Sequence, residues 1–307
     1  MTDPYIDFAA SWRAYLLAHD RSGRLDPTTD LDFWRGYAPY YDLRTSAEGS
    51  YAETLAFLSQ LVNANDTLLE VGAGTGRFAL PLATRVRWVT ALDYSAEMLA
   101  ILRQKAEAEQ ITNLSILEAP MEEALLSPHD VVLAAWSLYR QLDLVRILQR
   151  LMAAAKRLLI IVAGDTWDPP HRPLFEEIWG PANEPGLPAY LYILGALRQI
   201  DAHADLHIVW ERRRYIDTSP HHIASKLAPL DATPDAIARF AEKLTPLLAQ
   251  DGDAWRYDIR FAVGIVVLPT HPICAPSKGA APQSQERRLY PGGSNHRSGE
   301  THDHRSH

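Results

Sequence analysis

Residues 68–77, LLEVGAGTGR, decide the fold. A short apolar run ends at Val71, and a helical stretch, RFALPLATR, follows. Between them Gly72, Ala73, Gly74 and Gly76 make a turn where glycine permits positive φ angles and close approach of a ligand. A dinucleotide fingerprint, G-x-G-x-x-G, needs its third glycine at position 77, which is Arg77. The pattern is therefore G-x-G-x-G, preceded by an acid, Glu70. A dinucleotide loop aims a helix N-terminus at a pyrophosphate. An acid beside the loop suits an ammonium group instead. A second acid, Asp93, ends the run WVTALD, at the spacing expected of a carboxylate that accepts both hydroxyl protons of a ribose.

Outward from the loop, strand and helix patterns alternate. TLLEV, WVTALD, NLSILEA, DVVLAAWSL and RLLIIVAGD read as strands, with SAEMLAILRQKAEAE and LVRILQRLMAAAK as helices. This alternation predicts a parallel sheet covered by helices. Before it, residues 4–19 read as an amphipathic helix, 21–30 as a polar turn and 50–61 as a helix, with the aromatic-dense LDFWRGYAPYYDL between. After it, residues 166–188 form a proline- and aromatic-rich connection too long for an ordinary strand–helix loop. A helix over 189–200, the strand HIVWERRRYID, inserted helices over 220–227 and 234–250, and a last strand, WRYDIRFAVGIVVLP, complete the order. Residues 275–307 have almost no aliphatic side chains and are expected to be disordered. The expected division is a helical segment and lid over 1–65, a domain over 66–274 with a helical insertion at about 219–250, and the tail.

At 47% hydrophobic and 22% charged residues the chain has ordinary globular composition, which excludes a coiled-coil, collagen-like or wholly disordered protein. Its net charge is −8. The tail carries five Lys and Arg against three acids, so the remainder is more acidic still. That balance argues against a nucleic-acid partner. The lone cysteine, Cys274, excludes an internal disulfide or a cysteine-cluster metal site. The N-terminal run lacks a positive leader, and FAVGIVVLP is about half the length of a membrane helix. The expectation is a cytoplasmic protein with no membrane partner; the oligomeric state is not legible.

LLEVGAGTGRFALPLA, VTALDYSAEMLAILRQKA and NLSILEAPMEEALLSPHDVVLAAWSLY together resemble the class I S-adenosylmethionine-dependent methyltransferases. More narrowly, the chain is similar to bacterial methyltransferase-domain proteins with a leading FWRGYAPYYD-type segment and a late helical insertion. The resemblance spans about residues 31–269. It implies a Rossmann-like, doubly wound, mostly parallel seven-stranded sheet, with S-adenosylmethionine as cofactor. It further implies that Glu70, Gly72, Ala73, Gly74 and Gly76 border the methionine part, and that Asp93 holds the ribose with Tyr94 and Met98 beside the adenine. Residues 117–121, ending in Met121, would meet the adenine edge, and Ala134, Ala135 and Trp136 would line the methyl-donor pocket. Tyr37 and Tyr41 would close over the cofactor. Many relatives place an acid in a Gly-Asp-Ala motif on the adenine amine. Here the run is Glu118-Ala119-Pro120-Met121-Glu122, which leaves Glu118, Glu122 or backbone groups for that contact.

Ligands of open α/β sheets bind beyond the carboxyl ends of the strands. That rule selects Trp136, Ser137 and Tyr139 after the fourth strand, and Asp165, Trp167, Asp168 and His171 after the fifth. Tyr37, Tyr40 and Tyr41 could cover the mouth. Catalytic candidates are Asp165, His171 and Tyr139. Each has a plainer reading: Asp165 as a turn-capping acid, His171 as a solvated loop histidine, Trp136 and Tyr139 as packing at the sheet end. His129 precedes its strand, on the opposite edge. The run ERRR at 211–214 could meet an anionic substrate, although alternating charge on an edge strand is usually a solvated face. The 166–188 connection and the inserted helices are expected to form a lid that selects a small aromatic or apolar acceptor, with Trp167, Phe175, Trp179, Tyr190 and Tyr192 in that region. His302, His304 and His307 could hold a metal weakly, but a functionless tail is the simpler reading and no metal is expected. The leading function is methyl transfer to a small molecule. Alternatives are a regulatory S-adenosylmethionine-binding protein, an RNA methyltransferase, and a nicotinamide oxidoreductase, which Arg77 disfavours.

Overall fold

The computed structural model describes residues 6–20, 22–45, 50–165, 168–181 and 187–270. Trp167 and the 275–307 tail with its histidines lie outside the described residues. Three helices, α1 (Phe8–His19), α2 (Pro27–Thr45) and α3 (Ala52–Leu61), precede the sheet. The sheet then alternates β1 (Thr67–Val71), α4 (Ala79–Ala83), β2 (Trp88–Asp93), α5 (Ala96–Ala108), β3 (Leu114–Glu118), β4 (His129–Ala135), α6 (Leu144–Ala154) and β5 (Ala155–Gly164). Next come α7 (Arg172–Trp179), α8 (Ala189–Gln199), β6 (Asp205–Asp217), α9 (Pro220–Leu227), α10 (Pro234–Leu244), β7 (Ala249–Asp251) and β8 (Ala254–Pro269).

The strand order is β3-β2-β1-β4-β5-β8-β6, parallel through β5, with β8 antiparallel to both its neighbours. The order reverses between β1 and β4, so their carboxyl ends flank a crevice. The seven expected strands are present, and an eighth, β7, pairs with β8. Residues 245–250, expected as helix, leave α10 through a short 3-10 turn at Thr245–Leu247 and enter β7.

Local sequence explains the elements. Ser95 caps α5 by accepting from the Met98 N–H, and Asp143 caps α6 by accepting from the Arg146 N–H. Along α6 Leu144, Ile147, Leu148, Leu151 and Ala154 recur at helical spacing and are all buried. The inner strands are covered on both faces, which is why β4 and β5 read as nearly unbroken apolar runs. One core packs α1, α6 and α8 on one face of the sheet; the other packs α3, α4 and α5 on the opposite face.

Two helices differ from the sequence reading. The aromatic-dense segment and part of the expected polar turn form α2, where Pro39 is accommodated and only Asp30 and Ala38 are fully buried. A helix with so little buried surface leaves no 3.6-residue signature. The long connection holds α7, which packs with α9 and α10 on the part of the β6–β8 ribbon that runs past β5, around Tyr215, Phe240 and Tyr257. No helix among the described residues is long and apolar enough to cross a membrane.

Candidate functional site

Two cavities open at the carboxyl edge of the sheet. The smaller, of about 400 Å³, lies over β1 and β2. The larger, of about 530 Å³, lies over β4, β5 and the β6–β8 ribbon. Arg24, Leu25, Trp34, Trp136, Tyr139 and Arg140 line both, so the cavities share a rim.

The β1–α4 loop floors the smaller cavity. Gly72 has φ 73, and a Cβ there would lie 2.3 Å from the Ser137 Cβ, so β1 and the β4 loop approach too closely for any side chain. Gly74 has φ 55 and open space where a Cβ would stand, which leaves room for a ligand against the backbone. Gly76 does not line the cavity; a Cβ there would press on Leu80 and Leu102. Glu70, 2% exposed, lines the cavity with its Oε2 lacking a hydrogen-bond partner. Burial pushes its pKa up to about 8; the Ala79 N–H acts against that shift. Asp93 at the end of β2 accepts from the Gly74 N–H at 2.8 Å and the Ser95 N–H at 2.9 Å. Burial raises its pKa, and these backbone bonds oppose the rise. Two oriented N–H donors leave each carboxylate oxygen a further lone pair.

These residues fit S-adenosylmethionine better than a dinucleotide. A pyrophosphate beside the orphaned Glu70 oxygen would oppose ionisation of that carboxyl, whereas an ammonium would favour the ionised form and give the oxygen a partner. Tyr94, Met98, Met121, Ala135 and Trp136 all line this cavity, as do Ala73, Ala119 and Glu122. Ala134 lies in the core instead, because strand alternation turns it away. Glu118 is exposed and outside the lining, whereas Glu122 lines the cavity together with Glu123.

The roof comes from the N-terminal segment. Asp30, at the start of α2, accepts from Arg24 Nε at 2.6 Å and from the Tyr94 hydroxyl, and lies 3.2 Å from Arg140 Nε. The Thr75 hydroxyl donates to Asp42 at 2.7 Å, and Lys105 pairs with the other Asp42 oxygen at 3.0 Å. Arg77 donates to the Thr45 hydroxyl and lies over the Tyr41 and Tyr51 rings. Arg44 donates to the carbonyls of Ser225, Lys226 and Ala228 at the end of α9. α2 is thus held along its length by polar bonds to the glycine loop and its surroundings. It divides the two expected lid tyrosines: Tyr41 lines the smaller cavity and Tyr37 the larger, while Tyr40 is exposed.

The larger cavity is walled by aromatic rings, among them Trp12 of α1, Phe33 and Tyr37 of α2, Tyr51 at the start of α3 and Phe261 of β8. Trp136 at the shared rim has φ 49, a left-handed conformation that is costly for a bulky residue. Its ring stacks with Phe78 and meets Tyr51 edge-on at 4.7 Å. Asp165 lines the larger cavity and accepts from the Tyr190 hydroxyl at 3.1 Å. Tyr139 lines both cavities.

Other candidates fall elsewhere. His171 is buried, not solvated, because α7 starts beside it; its Nδ1 lies 2.9 Å from the Tyr257 hydroxyl. Burial drives its pKa down to about 4, with Arg213 adding to the effect, and it lines neither cavity. Asp168 is exposed, 3.8 Å from Arg172. No residue of α7, α9 or α10 lines either cavity, whereas Leu187 of the 166–188 connection lines the larger one; among the described residues the roof comes from α1 and α2 and not from the inserted helices. His129 stays on the far edge, bonded to Thr90. The 211–214 run is not a solvated face throughout. Glu211 is fully buried and accepts from the Thr54 N–H of α3, and Arg213 donates to the Tyr51 hydroxyl at 2.7 Å. Arg213, from the 211–214 run, lines the larger cavity, whereas Arg24, Asp30 and Arg140 enter the site through tertiary contacts that no local motif announces.

Known proteins agree with this geometry. Residues 68–159 match the model of a family described as a methyltransferase domain. An uncharacterized Haemophilus influenzae protein is 29% identical over 170 residues, 53% of this chain and 62% of its own length. A 23S rRNA (uracil(1939)-C(5))-methyltransferase of Aliivibrio fischeri is 37% identical over 62 residues, 20% of this chain and 14% of that one. The chain thus spans less than two thirds of these relatives. In fold it is similar to the [4+2]-cyclase SpnF, with a TM-score of 0.50 at 14% identity, covering 78% of this chain and 96% of that one. Matched model, strand order and glycine loop with its two acids agree: residues 68–159 form a methyltransferase domain, built on the sheet order of the class I S-adenosylmethionine-dependent enzymes.

Proposed function

We propose that the protein transfers a methyl group from S-adenosylmethionine to a small-molecule acceptor held in the larger cavity. The observation that carries this reading is the pair of cavities joined at one rim, one floored by the glycine loop and its acids, the other walled by aromatic rings. S-adenosylmethionine, when bound, supplies an electrophilic methyl group on a sulfonium. Glu70 is the group to meet its ammonium and Asp93 its ribose hydroxyls, with Gly74 giving room for close approach. Trp136 and Tyr139, common to both cavities, align the acceptor with the methyl group. The roof of α1 and α2 excludes water. Asp165, at the end of β5, is the carboxylate placed to take or hold an acceptor proton, whereas His171 is too remote.

A second reading, binding without methyl transfer, draws on the fold shared with a protein named as a cyclase. An RNA acceptor draws on the short rRNA-methyltransferase matches. Incubation with methyl-tritiated S-adenosylmethionine and separate small-molecule, RNA and protein fractions of a cell extract tests all three. Label in the small-molecule fraction is expected. Label only in RNA, or in no fraction while the cofactor binds, overturns the proposal.

A further inference from the structure

The charged groups of the larger cavity are turned to the protein itself. Among the described residues, the charged side chains lining it are Asp20, Arg24, Arg140, Asp165 and Arg213. Arg24 pairs with Asp30 at 2.6 Å, and its guanidinium carbon lies 3.4 Å above the Phe33 ring. Arg140 lies 3.2 Å from the same Asp30 and 3.8 Å from Asp20. Asp20 also accepts from the backbone N–H groups of Arg24 and Leu25. Arg213 bonds to the hydroxyls of Tyr51 and Tyr215, and Asp165 accepts from the Tyr190 hydroxyl. The polar tips of two rings are engaged as well. Trp12 Nε1 donates to the Gln141 carbonyl at 2.6 Å, and His19 Nδ1 lies 2.8 Å from the Tyr15 carbonyl.

What the cavity offers a ligand is ring surface. The roof supplies one aromatic group: Phe33 stacks on Tyr37 at 5.2 Å, and Trp34 meets Phe33 edge-on at 5.1 Å. The sheet side supplies another: Tyr51 meets Trp136 edge-on at 4.7 Å and Phe261 at 6.1 Å. All of these rings line the cavity. Ring against ring gains more than burial of the same area alone, so such walls favour a flat aromatic molecule over an aliphatic one. A charged molecule would leave water to meet donors and acceptors already committed to one another, and its desolvation would go unanswered.

We infer that the acceptor is an uncharged, planar, fused-ring aromatic molecule, lying between the rings of α2 and the wall of Tyr51, Trp136 and Phe261. The inference rests on the proposal that the smaller cavity delivers the methyl group. The substituent that is methylated reaches the shared rim, where Trp136 and Tyr139 belong to both cavities. Its nucleophilic atom bonds to the methyl carbon as the S–C bond breaks with its electrons left on sulfur, and gives its proton to Asp165. A cavity of about 530 Å³ is within the usual size of small-molecule sites.

The probes are a naphthol, the corresponding hydroxynaphthoate, the aminomethyl naphthol, and the saturated decahydronaphthol. Binding to the full chain at neutral pH with S-adenosylhomocysteine present is read by titration calorimetry, for the parent and for Tyr37→Leu. The parent should bind the naphthol about 10- to 100-fold more tightly than the acid or the amine. It should bind the naphthol about 2- to 10-fold more tightly than the saturated alcohol. Tyr37 lines only the larger cavity, so Tyr37→Leu should narrow the preference for the naphthol over the saturated alcohol and keep the parent's affinity for S-adenosylhomocysteine. That retained affinity shows the variant folded, and the ranking of probes on the parent needs no variant. The inference fails if the acid or the amine binds as tightly as the naphthol, or if the saturated alcohol matches it. It also fails if Tyr37→Leu weakens naphthol and saturated alcohol equally, or if no probe binds while S-adenosylhomocysteine does. Failure of S-adenosylhomocysteine itself to bind refutes the assignment of the smaller cavity instead.

Discussion

Replacing Glu70 by glutamine should make the ligand-free protein more stable and its cofactor binding weaker. The carboxyl is 2% exposed, and burial lifts its pKa to about 8 from an ordinary 4.5; the Ala79 N–H and Arg77 oppose the rise and Asp93 adds to it. The folded value thus lies above the unfolded one, and the fold favours the neutral acid. Its contribution is complete below the unfolded pKa and is lost as pH rises through the folded pKa. At pH 7 the loss is on the order of 3 kcal/mol. Glutamine is neutral, of the same size, and keeps an oxygen for the Ala79 N–H. The ligand-free variant should therefore gain up to that amount, raising Tm by about 2–4 °C for each kcal/mol. Binding moves the other way. An ammonium beside the carboxyl draws it back to the ionised form, and a group of pKa about 8 is roughly nine-tenths protonated at pH 7, so S-adenosylhomocysteine should release about 0.9 proton per site. Titration calorimetry in two buffers of different ionisation enthalpy reads that number. The glutamine variant should bind about 10-fold more weakly and release almost none. Equal proton release from parent and variant, or a variant melting below the parent at pH 7 to 8, refutes this account of Glu70.

Asp93→Ala removes the acceptor of the Gly74 and Ser95 N–H groups; S-adenosylhomocysteine affinity should fall about 100-fold with far-ultraviolet circular dichroism unchanged, and retained affinity in calorimetry would refute the ribose assignment. Gly72→Ala carries both a positive φ and a 2.3 Å approach to Ser137 and should destabilise the protein more in denaturant titration than Gly74→Ala, which carries the positive φ alone and should in addition weaken ligand binding. Reversal of that order would contradict the geometry of the loop. Asp42→Asn weakens the bonds of α2 to Thr75 and Lys105, and hydrogen exchange in α2 should quicken by about 3- to 30-fold without a matching change in β1.

The glycine loop, Glu70, Asp93 and the alternation from β1 to β5 were legible in the sequence because each depends on local rules. A turn that needs positive φ selects glycine, a strand buried on both faces selects an unbroken apolar run, and an acid at a strand end falls at a fixed spacing. The eighth strand escaped because three residues carry no period, and α2 escaped because it is held by Asp30, Asp42, Arg44 and Thr45 and not by an apolar stripe. The second half of the site depended on contacts between residues far apart in the chain. Tyr51 and Arg213 are 162 positions apart, and Tyr94 reaches Asp30 across 64. Residue type alone made His171 a candidate base; packing against Phe240 and Tyr257 turned it into a buried neutral side chain. The sequence by itself determined seven strands of the sheet and the glycine loop with its two acids. Only the tertiary structure decided which aromatic and charged side chains enclose the second cavity, because periodicity assigns a face to each element but not which distant element lies against it.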